Sequence, residues 1–207
     1  MPAIATTHPR CVLEPMDLQD QAQFEELLRQ RKICGWNDTP HHITAWQKGM
    51  EAGTRYLFWI KPVSQLHVRA GHISLDNKYE PPFLEVGDKT ILRIATLFIL
   101  PEHRGGGIGR AAVETMEGWA VTEPYGSKDC KALVIDAVSR NYSEDDEWRA
   151  EYLRITGFEA NPRGASNEDW YARMGYVKYR EEPVYPGLVP GAKGNLLRAS
   201  FMRKEIQ

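Results

Sequence analysis

An apolar strand, a glycine-rich turn and an amphipathic helix follow one another without interruption over residues 91–121. Residues 91–100 are almost continuously apolar, which predicts a strand that is buried on both faces. Glycines dominate the turn at 105–109, and the one-sided apolar pattern of 108–121 predicts a helix. A helix N-terminus leaves N–H groups unpaired, and glycines let a ligand approach the backbone. The segment therefore predicts an anion site suited to a pyrophosphate.

Two common classes of phosphate-binding turn fit this segment poorly. The phosphate loop of NTPases ends in Gly-Lys-Ser/Thr, whereas this turn ends in Gly109-Arg110, so that class is excluded. A dinucleotide fingerprint needs three glycines in the pattern GxGxxG. Gly105 and Gly107 match its first two positions, but Arg110 occupies the third, and Asp129 precedes the next strand instead of ending it. A nucleotide-dependent oxidoreductase is therefore disfavoured.

The rest of the chain alternates between strand-like and helix-like patterns. Runs of β-branched, aromatic and apolar residues predict strands over 11–16, 56–61, 66–76, 91–100, 132–138, 176–180 and 196–204. Apolar residues at helical spacing, with capping residues at the ends, predict helices over 17–34, 39–53, 108–121, 143–157 and 167–174. Asp17 and Ser143 are the expected first residues of two helices, and the proline- and glycine-rich residues 182–195 are expected to form a loop. This order predicts helices packed on one central sheet.

Length and composition limit the class of protein. The 207 residues, 42% of them hydrophobic, predict a single domain over 1–207 with a loose tail at 1–9. A formal net charge of −2 gives no reason to expect a nucleic-acid or membrane partner, and the apolar run at 91–100 is too short to span a bilayer. The three cysteines are far apart and odd in number, which favours reduced thiols in the cytoplasm over a disulfide framework or a metal cluster.

Two sequence motifs resemble those of a known family. Residues 104–109, Arg-Gly-Gly-Gly-Ile-Gly, fit the R/Q-x-x-G-x-G/A signature of the GNAT superfamily of N-acetyltransferases. Residues 167–176 resemble the N…Y-x-x-x-G-F/Y segment of the same family, and the close resemblance covers 91–121 and 167–178. It implies an α/β fold of the α+β type, in which helices flank a central mixed, mostly antiparallel sheet of about seven strands.

The resemblance also implies an activity and a co-substrate. Such proteins transfer the acetyl group of acetyl-CoA to a primary amine by direct attack, with no covalent enzyme intermediate and no metal. The residues that the resemblance assigns to coenzyme A are Leu97, Phe98, Ile99, Arg104, Gly105, Gly106, Gly107, Ile108, Gly109, Arg110, Asn167 and Tyr171. Backbone N–H groups over 105–109 would hold the pyrophosphate, and the backbone over 97–99 would polarise the thioester carbonyl.

Tyr171 occupies the position that the family often uses to protonate the leaving thiolate. A phenol with a pKa of about 10 keeps its proton at neutral pH while a thiolate with a pKa of about 8.5 departs, so Tyr171 is the candidate general acid. Packing of its ring in the core is the alternative. The resemblance implies that Asn167 contacts the pantetheine arm or stabilises the buried strand where it splays from its neighbour in such enzymes. The alternative is that it caps the helix that it begins.

The acceptor amine must lose a proton before it attacks, because alkylamines with a pKa of about 10 are mostly protonated at pH 7. Glu85 is the candidate general base. The alternatives are His72 and Asp76 on the preceding strand, and His41 and His42 at the start of the second helix. Each of them also suits an ordinary packing or surface position, and deprotonation through water would need none of them.

Two segments are candidates for selecting the acceptor. The acidic run at 144–147, within the long stretch 139–166, could attract a cationic amine or form an ordinary first turn of a helix. The segment 182–195 is expected to border the acceptor, with Tyr185 and Lys193 as contacts. A small-molecule amine is the predicted acceptor. The alternatives are a protein lysine or N-terminal amine, and a non-catalytic module that only binds coenzyme A; a monomer or homodimer is expected.

Overall fold

The strands and helices follow the order that the sequence predicts. The computed structural model describes residues 10–77, 88–157, 159–186 and 196–206. The strands are β1 (Cys11–Pro15), β2 (Arg55–Pro62), β3 (Gly71–Asp76), β4 (Ile91–Ile99), β5 (Ala132–Val138), β6 (Val177–Pro186) and β7 (Leu196–Glu205). The α-helices are α1 (Gln21–Cys34), α2 (Pro40–Glu51), α3 (Ile108–Ala120), α4 (Asp146–Thr156) and α5 (Asn167–Ala172), and 3-10 turns lie at Pro101–His103 and Arg140–Ser143.

The seven strands form one sheet in the order β1-β2-β3-β4-β5-β7-β6. The pairs β1–β2, β2–β3, β3–β4 and β6–β7 are antiparallel. The expected mixed, mostly antiparallel sheet flanked by helices is therefore confirmed. By their contacts the residues divide into two compact units, one formed by the chain up to Leu133 with Ile206, and the other by Val134–Glu205. The single domain over 1–207 stays a prediction.

In the first unit, helices cover both faces of β2. Leu57 and Trp59 belong to a buried cluster that they share with residues of α1 and α2. Phe58 lies between them in sequence and therefore points to the other face of the strand. There its ring packs against the ring of Trp119 on α3, with the centroids 4.9 Å apart. Among the described residues, no helix has both the length and the apolar composition needed to cross a bilayer.

A buried carboxylate joins the elements of the second unit. Glu168 on α5 is 3% exposed, and it accepts hydrogen bonds from Ser200 Oγ on β7 at 2.6 Å and from the backbone N–H of Arg140 at 2.9 Å. Lys178 Nζ on β6 lies 2.9 Å from its other oxygen. Burial opposes ionisation, but the hydrogen bonds and the Lys178 charge outweigh it and lower the pKa of Glu168 to about 2. The ionised carboxylate therefore holds α5 against β6 and β7.

The predicted N-cap of α1 is wrong. Asp20 caps the helix, because its carboxylate accepts from the N–H of Ala22 at 2.8 Å. Asp17 instead accepts from the N–H of Gln19, at 2.9 Å, in the turn before the helix. The two aspartates have the same capping chemistry, so residue type alone does not choose between them.

The predicted start of α4 at Ser143 is also wrong, because a 3-10 turn over Arg140–Ser143 takes up that residue. Asp145 is the N-cap, and its carboxylate accepts from the N–H of Trp148 at 2.9 Å. The predicted end is confirmed, since Gly157 adopts the left-handed conformation that closes the helix.

Two strand boundaries differ from the sequence prediction. The strand expected over 66–76 begins only at Gly71, because a turn precedes it in which the N–H of Val68 donates to the carbonyl of Gln65 at 2.9 Å. β6 extends to Pro186 and therefore includes part of the predicted loop 182–195. It lies at the edge of the sheet, where prolines are tolerated because no neighbouring strand needs their missing N–H. Residues 187–195, with Lys193, lie outside the described residues.

Candidate functional site

A one-residue bulge interrupts β4 in its middle. Residues 72–74 of β3 pair with residues 95–98 of β4, so Thr96 and Leu97 together lie opposite Ile73. Thr96 has a φ of 53°, in the left-handed region that β-branched residues rarely adopt. Its hydroxyl is shielded from solvent and has no hydrogen-bond partner among the described residues. Backbone strain of this kind costs about 1–3 kcal/mol and is concentrated at functional sites.

The strand that contains the bulge is less buried than the sequence predicts. β4 is not buried on both faces, because only Leu92, Ile94 and Phe98 are buried and the other positions are half-buried. The extra residue of a bulge is left out of the hydrogen-bond ladder with the partner strand. The segment 97–99, which the resemblance assigns to the thioester, begins at this bulge. Sequence reasoning did not identify Thr96, since threonine gives no signal for a positive φ.

The glycine turn leads directly from β4 into α3. Gly105 and Gly107 have φ values of 84° and 76°, which favour glycine. A Cβ added at Gly105 or at Gly106 would meet no atom within 4 Å, so the turn presents its backbone to open space. Gly107 is the N-cap of α3, and no side chain caps the helix. The first N–H groups of α3, which begins at Ile108, therefore keep the partial positive charge of a helix N-terminus.

Arginines surround this turn. Arg10 donates from Nη1 to the carbonyl of Gly106 at 2.7 Å, a contact that the sequence did not predict. Arg104 donates from Nε to the carbonyl of Ile99 at 3.0 Å, which directs its side chain along the end of β4. Arg110 pairs with Glu114 one turn further along α3, at 2.9 Å. The turn therefore combines helix N–H groups with positive side chains, which together favour a bound phosphate group.

Tyr171 lies in the second unit, on α5. Its side chain is buried, with its ring against those of Trp170 and Tyr176 at centroid distances of 4.8 and 5.8 Å. Burial, and secondly the negative charge of Asp136, raise the pKa of Tyr171 well above its ordinary value of 10. Tyr171 therefore keeps its proton at every pH at which an amine substrate would be assayed. Packing of the Tyr171 ring in the core is the alternative in the sequence analysis. It is compatible with the candidate role of the hydroxyl as the general acid.

Asn167 is not the N-cap of α5. Ser166 caps the helix, because its hydroxyl accepts from the N–H of Asp169 at 2.9 Å. The amide oxygen of Asn167 accepts from Asn161 Nδ2 at 3.1 Å. The capping alternative for Asn167 is therefore wrong, and its predicted contact with the pantetheine arm stays a prediction.

Asp136 and Tyr185 form a pair that the sequence did not connect. The Tyr185 hydroxyl on β6 donates a hydrogen bond to Asp136 Oδ2 on β5. Asp136 is the single charged residue in the otherwise apolar strand Ala132–Val138. This is the one feature by which the sequence could have identified Asp136 as a candidate site residue. The predicted acceptor contact Tyr185 thus lies beside the same carboxylate that acts on the pKa of Tyr171.

Four of the five candidate bases are held in other interactions or lie outside the described residues. Glu85 belongs to the latter group. His72 is fully buried between Gln30 and Arg31, with its Nδ1 2.9 Å from Gln30 Oε1 and its Nε2 3.3 Å from Arg31 Nη1. Burial and the Arg31 charge lower the pKa of His72 well below its ordinary value. His72 is therefore neutral, and both of its ring nitrogens are engaged in the core.

Of the remaining candidate bases, Asp76 and His42 have structural partners, whereas His41 is exposed in the first turn of α2. The buried carboxylate of Asp76 binds Arg55 through both oxygens, at 2.9 and 2.6 Å. His42 Nδ1 lies 2.8 Å from the hydroxyl of Thr39, the N-cap of α2. Among the described residues, no group of three or more His, Cys, Asp or Glu side chains is arranged to hold a metal ion.

The acidic run at 144–147 has local partners. Arg163 pairs with Glu144 and with Asp146, and Asp145 is the N-cap of α4. These contacts favour the structural interpretation of the run, as the first turn of a helix tied to the following loop.

The chain is similar to known proteins in sequence and in fold. The model of the acetyltransferase (GNAT) family matches residues 22–143. Spermidine N-acetyltransferase from Vibrio cholerae in complex with CoA and spermine is 13% identical, with a TM-score of 0.58 and 96% of each chain covered. An aminoglycoside 6'-N-acetyltransferase complexed with coenzyme A is 14% identical, with a TM-score of 0.59 and coverage of 94% of this chain and 97% of that chain. RimL, a ribosomal L7/L12 alpha-N-protein acetyltransferase, is 12% identical, with a TM-score of 0.57 and coverage of 99% and 98%. No curated protein sequence matches the chain.

The solved structures have the same fold as this chain. At these low sequence identities, the likeness is evidence of the fold alone. The family model is stronger evidence, because it matches more than half of the 207 residues and includes the whole of β4, the glycine turn and α3. The family named from the motif at 104–109 is therefore confirmed, and the chain belongs to the GNAT family of acetyltransferases.

Proposed function

We propose that this acetyltransferase transfers the acetyl group of acetyl-CoA to a primary amine of a small molecule. The observation that carries the proposal is the strained bulge of β4, which is followed directly by the glycine turn and the uncapped N-terminus of α3. In this proposal the N–H groups over 105–109 hold the pyrophosphate, with Arg104 and Arg110 supplying positive charge. The backbone over 97–99 polarises the thioester carbonyl, where main-chain N–H groups stabilise the developing oxyanion.

The cysteines support direct attack of the amine over a covalent acetyl-enzyme. An acetylated cysteine requires an accessible thiol with a lowered pKa. Burial instead raises the pKa of Cys11 to about 11, and burial also raises the pKa values of Cys34 and Cys130. In the proposed reaction the neutral amine nitrogen attacks the thioester carbon, the C–N bond forms and the C–S bond breaks. As the C–S bond breaks, the attacking nitrogen loses a proton and the coenzyme A thiolate takes one, so the products are the amide and free coenzyme A thiol.

The proposal of a small amine as the acceptor is supported by two of the similar structures and not by the third. Two of the similar structures are named for spermidine and for aminoglycosides, and both substrates carry several cationic amines. RimL has the same fold and is named for a protein substrate, so the fold does not choose between the two classes. The choice therefore needs an experiment in which small amines and peptides compete on equal terms.

Free thiol should be released from acetyl-CoA only when a small amine is added to the purified protein. A panel with a polyamine, an amino sugar, an amino acid and a lysine-containing peptide with a free N-terminus distinguishes the acceptor classes. The rate at subsaturating amine should rise between pH 6 and 9, because the neutral fraction of an alkylamine grows about tenfold per pH unit. Turnover of the peptide alone would favour a protein acetyltransferase. If no member of the panel caused thiol release, the result would contradict catalysis.

Tyr171→Phe should lower kcat about a hundredfold and leave the KM for acetyl-CoA within about twofold. The variant keeps the buried ring but loses the hydroxyl that, in this proposal, donates to the leaving thiolate. Because the pKa of Tyr171 is raised above 10, the wild-type kcat should not fall up to about pH 9.5. Tyr179→Phe, on the exposed part of β6, is the matched control and should keep full activity. An unchanged kcat in Tyr171→Phe would remove the acid role while leaving the transfer reaction in place.

A further inference from the structure

Asp136 is an unusual residue in its position. The other residues of β5 are apolar, and Ala132, Leu133, Val134, Ile135 and Ala137 are all buried. Asp136 is half-buried, at the point where the strand begins to emerge from the core. Placing a carboxylate in an apolar strand costs solvation energy, so a residue retained there needs a specific polar partner.

One partner of Asp136 is Tyr185, and the local structure of β6 directs that tyrosine. Pro183 pairs with Arg198, and Tyr185 with Leu197, so β6 contains one extra residue at this point. Bulges re-aim the side chains that follow them and often lie next to active sites. After the bulge, the Tyr185 hydroxyl donates to Asp136 Oδ2. The hydrogen bond fixes the orientation of the carboxylate and is charge-assisted.

The same carboxylate acts on Tyr171, the candidate acid. Its negative charge adds to burial in raising the pKa of Tyr171, which places the two groups within electrostatic reach of each other. The cluster of Asp136, Tyr171 and Tyr185 therefore combines a fixed negative charge with two phenols.

We propose that the carboxylate of Asp136, oriented by Tyr185, binds the ammonium group of the acceptor and thereby selects cationic amines. This inference rests on the proposed function, because the thiolate that Tyr171 would protonate lies one bond away from the carbon that the amine attacks. An alkylamine reaches the enzyme as a cation, and a partly buried carboxylate attracts it more strongly than one in bulk water. The residue binds and orients the substrate; the proton lost before attack passes to water or to another base.

The test compares Asp136→Asn with the wild type on two acceptors. Spermidine is the cationic probe, and an arylamine that is neutral at pH 7 is the uncharged probe, used as a substrate or, if unreactive, as a competitor. The KM for spermidine should rise at least about tenfold, because a hydrogen bond to a charged group is lost. The affinity for the arylamine and the KM for acetyl-CoA should stay within about twofold. Asp129→Asn, an exposed carboxylate just before β5, is the matched control and should match the wild type.

Tyr185→Phe is the second variant, and it decides the question if Asp136→Asn does not fold. It keeps the charge and loses only the orienting bond, so the KM for spermidine should rise about two- to tenfold. An unchanged KM for spermidine in both variants, or an equal loss for both acceptors, would overturn the inference and leave Asp136 with a structural role. If the wild type turns over no amine, the proposed function itself fails, and that outcome is distinct from turnover without dependence on Asp136.

Discussion

Gly106→Val should weaken acetyl-CoA binding at least about a hundredfold and leave the free energy of unfolding almost unchanged. Gly106 does not have a left-handed φ, and a Cβ built on it meets no atom within 4 Å, so the fold has room for the side chain. That room is where the proposed pyrophosphate would lie. Loss of two hydrogen bonds to a charged group, each contributing about 1.5–3 kcal/mol, corresponds to more than a hundredfold in affinity. Calorimetric titration with acetyl-CoA and urea unfolding measure the two quantities separately.

The position of the substitution is what makes this experiment decisive. Gly105 and Gly107 have positive φ values, so valine at either would add backbone strain to any effect on the ligand. Gly118→Val is the matched control, because this glycine also has open space around it but lies late in α3, away from the turn. The control should bind acetyl-CoA normally. If Gly106→Val does so too, the turn is not the pyrophosphate site and the donor half of the proposed function is lost.

The donor segment could be predicted from sequence because its determinants are local. A proline, closely spaced glycines and an amphipathic helix follow one another within about twenty residues, and each has its own backbone preference. Prediction from local sequence is less accurate where neighbouring residues have the same chemistry, as at the start of α1. Asp17 and Asp20 are both good caps, and only the hydrogen bond from Ala22 shows which one begins α1.

Other features could not be predicted because they depend on distant partners. Thr96 adopts a positive φ against the preference of its residue type, and the pairing of β4 with β3 on either side imposes it. Asp136 and Tyr185 are separated by 49 residues, so their hydrogen bond follows from the order of the strands and not from any sequence spacing. β6 continues through Pro183 for the same reason, since its place at the edge of the sheet is a property of the topology.

Glu168→Ala should lower the free energy of unfolding at pH 7 by roughly 3 kcal/mol, the second large effect that the structure predicts. Removing the carboxylate leaves the Ser200 hydroxyl and the Arg140 N–H without their acceptor. Lys178 is 36% exposed and can turn toward water, which keeps the loss below the upper end for buried ion pairs. Glu168→Gln retains an acceptor oxygen but not the charge, so it should lose less. Urea unfolding at constant temperature provides the measurement.

The pH dependence of the free energy of unfolding distinguishes a contribution from the Glu168 charge from an effect of packing alone. The pKa of Glu168 is lowered from about 4.5 to about 2 in the folded protein, so its contribution to stability is complete above pH 4.5. It is lost as the pH falls toward 2, because the folded carboxylate then binds the proton that the unfolded chain has already bound. The difference in stability between wild type and Glu168→Gln should therefore shrink between pH 5 and 2, as far as both remain folded. Glu159→Gln, an exposed carboxylate in the loop after α4, is the matched control and should show no such difference at any pH. A gap between wild type and Glu168→Gln that stayed constant with pH would mean that shape, and not the buried charge, holds α5 in place.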